Sequence, residues 1–114
     1  MENNSKTDTS LNTTPNTDAP LATYELRKPF EINGKRLTKL ILDMDALSAD
    51  EVISTQNEHI ALSKANPAHS DAYLPFMYVS KMNKMIVGDL TPRLGGGDAL
   101  KIGKIVESFF VDMV

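Results

Sequence analysis

Residues Tyr24–Leu42 read YELRKPFEINGKRLTKLIL. Tyr24, Leu26, Phe30 and Ile32 alternate with polar residues. Asn33–Gly34 follows, and then Leu37, Leu40, Ile41 and Leu42. Asn-Gly between two apolar runs is the strongest short-range hairpin signal, because a tight type I′ turn needs φ > 0 at both central residues. Pro29 has no N–H to give to a ladder, so it marks an edge strand or a bulge.

Downstream of the hairpin the pattern changes period. Leu47–Ser48–Ala49–Asp50–Glu51–Val52 carries a capping box, Ser48 with Glu51, flanked by Leu47 and Val52 as a hydrophobic staple. A first helix is expected from Ser48 to about Lys64, ended by Asn66–Pro67. Its apolar face is thin: Val52, Ile53, Ile60 and Leu62, with Thr55, Gln56 and His59 between. A helix this polar needs support from elsewhere. A second helix is expected along Leu74, Met77, Tyr78, Met82, Met85 and Ile86, with the Lys81 stem completing the stripe. Pro75 suits its first turn, and Gly88 supplies the stop. Residues 89–97, DLTPRLGGG, read as loop. Asp98 is expected to cap a third helix whose Ile102, Ile105, Val106, Phe109 and Phe110 recur at i, i+3, i+4, i+7 and i+8. The fold class is therefore α+β: an N-terminal β-hairpin, then a three-helix bundle, forming one domain over residues 23–114.

Upstream, residues 1–22 are dominated by Asn, Thr, Asp and Ser, with Leu11 and Leu21 as the only large aliphatic side chains. Such a segment cannot bury enough surface to offset its ordering entropy, and a disordered tail is expected. Of the formal net charge of −3, the tail holds −2 (Glu2, Asp8 and Asp18 against Lys6). The remainder is close to neutral, without the basic face that phosphate-backbone binding requires, so no nucleic-acid partner is expected. The absence of cysteine excludes disulfides, thiolate metal sites and a cysteine nucleophile. No secretory signal is legible at the N-terminus, and no apolar run approaches the ~20 residues of a membrane span.

The residues that could carry chemistry have structural readings. His59 and His69, ten apart, fit no helical metal pair, and solvated histidines are expected rather than ligands. Asp43, Asp45, Asp50 and Glu51 lack the central glycine of a calcium loop and read as turn and capping acids. Gly95–Gly96–Gly97–Asp98 lacks the lysine spacing of a phosphate loop and reads as a flexible connection into a helix. No catalytic, metal or cofactor site follows, and catalysis is not expected. Met77, Met82 and Met85 beside Tyr78 admit two readings: ordinary core, or an adaptable binding surface made of flexible thioethers. Leu74, Met77, Tyr78, Met82, Met85 and Phe110 are accordingly the candidate partner-binding residues. Phe110, set about 100° from Phe109, is a candidate to face a partner or a second copy of the chain.

The order of features in residues 24–111 resembles the small tail assembly chaperones of long-tailed and contractile-tailed phages. The shared features are the hairpin NGKRLTKLIL, the acidic linker and capped helix DMDALSADEV, the loop Leu90–Thr91–Pro92–Arg93–Leu94, and a closing helix ending in Phe109–Phe110. The Asp-Ala-Leu-Ser start of the first helix and the triple glycine depart from the family pattern. The resemblance implies a non-enzymatic protein of the host cytoplasm. It would bind the helical tape measure protein, help recruit tail tube protein, and leave before the virion matures. A small structural phage component, such as a connector or tail completion protein, and a small regulatory protein-binding domain are the alternatives.

Overall fold

The computed structural model of the chain describes residues 20–112. The expectation of a disordered tail falls, for residues 1–19, outside the described residues. Ala22, read as tail, already belongs to the domain. Its N–H donates to Asp43 Oδ2 (2.8 Å), and its carbonyl accepts from the Leu42 N–H (2.9 Å).

Strands β1 (Thr23–Ile32) and β2 (Lys35–Ile41) form the antiparallel hairpin. Asn33 and Gly34 take φ of 51° and 77°, the two positive values that the type I′ turn demands. The register runs from Ile32↔Lys35 to Thr23↔Ile41 and is interrupted between Glu25 and Phe30. Pro29 lies in that bulge, where no ladder donor is needed. The inward positions Leu26, Phe30, Ile32, Leu40 and Leu42 are buried.

After a single 3₁₀ turn (Met44–Ala46), helix α1 spans Ala49–Ala65. Ser48 caps it as the sequence requires. The Glu51 N–H donates to Ser48 Oγ (3.1 Å), and the Ser48 N–H donates to Glu51 Oε1 (2.9 Å). The backbone and hydroxyl of Ser48, first among its surroundings, hold the Glu51 carboxyl below its ordinary pKa. Ser48→Ala should lower stability by about 0.5–2 kcal/mol, read as a shifted denaturation midpoint. An unshifted midpoint would show that the box contributes nothing.

A second 3₁₀ turn (Asp71–Tyr73) leads into α2 (Leu74–Met82), which is followed by a single-turn α3 (Val87–Leu90) and by α4 (Gly96–Asp112). The helical part therefore holds four α-helices among the described residues, and the plan of three is corrected at two places. The expected second helix stops at Met82, six residues before Gly88. Lys84 adopts a left-handed φ of 58°. The Met85 N–H bonds Ser80 O, and the Lys84 N–H bonds Lys81 O. This is a Schellman cap with lysine at the position usually held by glycine. Asn83 fixes the stop against the hairpin: its Oδ1 accepts the Ile41 N–H (2.8 Å), and its Nδ2 donates to Ile41 O (3.0 Å). The expected loop 89–97 contains the end of α3, and α4 begins at Gly96 rather than after an Asp98 cap.

Helix α2 is the centre of the domain. Tyr78, Val79 and Met82 meet the hairpin's apolar face together with Leu90, Leu94, Ile102 and Val106. The apolar face expected on α4 is present: Ile102 and Val106 are buried, and Ile105, Phe109 and Phe110 are half-buried around them.

Candidate functional site

Three places gather side chains that could do more than hold the fold. The first is the junction of α4 with the bulge of β1. Asp98 is buried, and its carboxylate accepts from the backbone N–H of Arg27 (3.0 Å) and Lys28 (3.0 Å) and from the Tyr24 hydroxyl (2.9 Å). The bulge turns two successive N–H groups to the same side, and Asp98 fills the concavity. Burial alone would raise the Asp98 pKa; the two N–H groups, the hydroxyl and the nearby Arg27 guanidinium outweigh it, and the net shift is downward. Tyr24 is displaced upward, by desolvation and then by its bond to Asp98. The acid read from the sequence as a helix cap is thus the tie between hairpin and α4. It has the chemistry of an internal brace, with all its strong donors supplied by the chain itself.

The second place is the seam between α1 and α2. The sequence assigned Val52, Ile53, Ile60 and Leu62 to the inward face of α1, but only Val52 is half-buried there. Ile53 and Ile60 are 56 % and 51 % exposed, and Leu62 is exposed as well. The residues turned inward are Thr55 and His59, with Ser63 half-buried. The Thr55 hydroxyl donates to Glu51 O (2.7 Å), and so disposes of its polarity within the helix. His59 Nε2 lies 3.0 Å from Asp71 Oδ1, and His59 Nδ1 lies 3.1 Å from His69 Nε2. With Nε2–H donating to the carboxylate, Nδ1 is left to accept the His69 N–H. His69 in turn stacks on Tyr73, with ring centroids 4.9 Å apart and planes within 10°. The expectation of solvated histidines is therefore corrected for His59, which is buried at the head of a polar chain pinning residues 69–73 to α1. His59, His69 and Asp71 are spent on one another, and among the described residues no group of three such side chains is arranged to hold a metal ion.

The third place is an open groove of about 620 Å³ between the start of α2 and the outer face of α4. Ala72, Pro75 and Phe76 form one wall; Gly96, Ala99, Leu100 and Gly103 form the other, with Lys104 and Glu107 at the rim. Leu100 is 73 % exposed, the largest value among the exposed large apolar residues. Gly103 lies in the interior of α4, where glycine costs about 1 kcal/mol relative to alanine. A Cβ built on it would meet nothing within 4 Å, so no internal packing requires the missing side chain.

The six candidate partner-binding residues divide under this geometry. Met77, Tyr78 and Met82 are buried in the domain, so in this conformation a partner cannot reach them. Leu74, Met85 and Phe110 are half-buried. Phe110 packs against Tyr78 with ring centroids 5.2 Å apart. Met85 lines a small cleft with Leu62 and Ile86 beside the Glu58–Lys81 ion pair (3.7 Å). The groove residues Phe76, Leu100 and Gly103 were not singled out from the sequence. The available signal was Leu100, an apolar residue on the polar side of an otherwise regular helical pattern. No protein-family model, characterised protein or solved structure matches the chain.

Proposed function

We propose that the chain is a non-catalytic assembly chaperone of the phage-tail kind. It binds a helical segment of the tape measure protein in the host cytoplasm and assists assembly of the tail tube. The observation that carries this reading is the open groove between α2 and α4, apolar along both walls, with Leu100 standing exposed at its edge. Recurring recognition of amphipathic helices uses such grooves, into which apolar anchors at helical spacing are laid. The open floor at Gly103 lets a partner approach the α4 backbone closely, which gives the destabilising glycine a use. The resemblance of the sequence to tail assembly chaperones names the partner.

Co-expression with a tape measure protein and affinity capture test the proposal. The complex should persist in ~0.5 M salt, where charge pairs at a surface are screened within a few ångströms. Leu100→Asp should reduce recovered complex about tenfold or more, the equivalent of ~1.4 kcal/mol, with the melting temperature of the chain almost unchanged. No complex at low or high salt, with both proteins soluble apart, would overturn the proposal in favour of a structural tail component.

A further inference from the structure

Helix α1 covers α2 with the wrong kind of face. Met77 and Tyr78 are buried, yet the buried residues of α1 are Thr55 and His59; its Val52 is only half-buried, Leu62 stands at the edge of the cleft that Met77 lines, and Ile53 and Ile60 stand in solvent. Met77 is nearly inaccessible but lies outside the contiguous apolar core that contains Tyr78, Val79 and Met82. The Tyr78 hydroxyl is fully buried without a hydrogen-bond partner. Desolvation raises its pKa. A buried unsatisfied hydroxyl is a cost carried by the closed arrangement. The ties that hold α1 down are weak. Asp71, the acceptor for His59, is fully exposed, and the Glu58–Lys81 pair is solvated and long at 3.7 Å. An exposed ion pair such as Glu58–Lys81 contributes little. Helix α1 rests chiefly on α2, so its departure would leave the contacts of α2 with the hairpin and α4 in place.

From this mismatch we infer that α1 is a releasable cover, and that the seat beneath it, centred on Met77 and Tyr78, is a second docking site for an amphipathic helix that takes the place of α1. The occupant's shape is set by the present one, because the seat already holds a helix of 17 residues. Its chemistry is set by the seat: a thioether and an aromatic ring call for an apolar stripe at i, i+3, i+4 and i+7, which α1 does not offer. Opening also returns the Tyr78 hydroxyl to water or to a polar group of the incoming helix. The inference rests on the reading of the chain as a binder of helical segments.

Two measurements test it. In the free protein at neutral pH, hydrogen exchange should be at least tenfold faster for amides of residues 55–63 in α1 than for residues 102–106 in α4, because α1 opens locally. The chain has no cysteine of its own, so Glu58→Cys and Lys81→Cys can be joined by a short bismaleimide to lock α1 onto α2. An 18-residue Leu/Lys amphipathic peptide should bind the unlinked double variant at least tenfold more tightly than the linked one. Equal protection in α1 and α4 would overturn the inference. So would a peptide affinity that locking leaves unchanged, at any level including none. The exchange measurement involves no tail protein, so its failure is distinct from a failed capture of the tape measure protein.

Discussion

Met82→Lys should abolish the fold at 25 °C, whereas Met85→Lys, three residues along the same sequence stripe, should cost about 1 kcal/mol. Met82 is 2 % exposed and sits in the core among the hairpin side chains, Tyr78 and Val79. Removing its side chain alone forfeits roughly 2–5 kcal/mol. An ammonium with no partner in that position adds a desolvation cost of several kcal/mol. Together these reach the whole stability of a small domain, roughly 5–15 kcal/mol. Met85 follows the Schellman cap and is half-buried at the edge of a cleft, from which a lysine can extend its amine into water. Far-UV circular dichroism and thermal melts of the two variants decide the matter. A cooperative melt of Met82→Lys near the wild-type temperature would show that the stripe faces outward in solution. The contrast also settles the two readings that the sequence left open, since methionines on a binding surface would lose a partner before they lost the fold.

The methionine stripe shows what the sequence could and could not carry. Features encoded within a few residues were legible: the Asn33–Gly34 turn, the Pro29 bulge, the Ser48–Glu51 box and the i, i+3, i+4 face of α4 all stand where the pattern put them. What was not legible depends on partners far along the chain. Helix α2 stops at Met82 because Asn83 grips the backbone of Ile41, 42 residues away, and holds Lys84 in a conformation that sequence reasoning reserves for glycine. Likewise the choice of which face of α1 turns inward is made by His69 and Asp71 in the following loop. Local hydrophobicity would have chosen Ile53 and Ile60. At the candidate groove, the exposed Leu100 was visible in the sequence, but the opposite wall of Ala72, Pro75 and Phe76 arrives only through tertiary packing.

Asp98 is the sharpest case of a long-range partner, and its removal is the second large effect. Asp98→Ala should cost about 3 kcal/mol, because hydrogen bonds to a charged group contribute roughly 1.5–3 kcal/mol and three are lost together, with water able to replace part of them at the exposed Arg27 and Lys28. Asp98→Asn keeps one acceptor oxygen, which can still serve Tyr24 and Arg27, but turns an amide donor toward the Lys28 N–H, and should cost about half as much. The pH dependence separates a carboxylate brace from simple packing. The Asp98 pKa is lowered in the folded chain by its donors. Its contribution is therefore complete above the unfolded carboxylate value, near 3.9, and is lost as the pH falls through the lower folded value. The gap in denaturation midpoint between wild type and Asp98→Asn should be constant from pH 8 to about pH 5 and should narrow below about pH 4. Tyr24→Phe removes only the hydroxyl donor; it should leave the gap at neutral pH partly closed and raise the pH at which the narrowing is complete, with its onset unchanged, since one of the groups that depress the folded pKa is gone. A gap that stays constant down to pH 3 would mean that the ionised carboxylate is not what joins the bulge of β1 to α4.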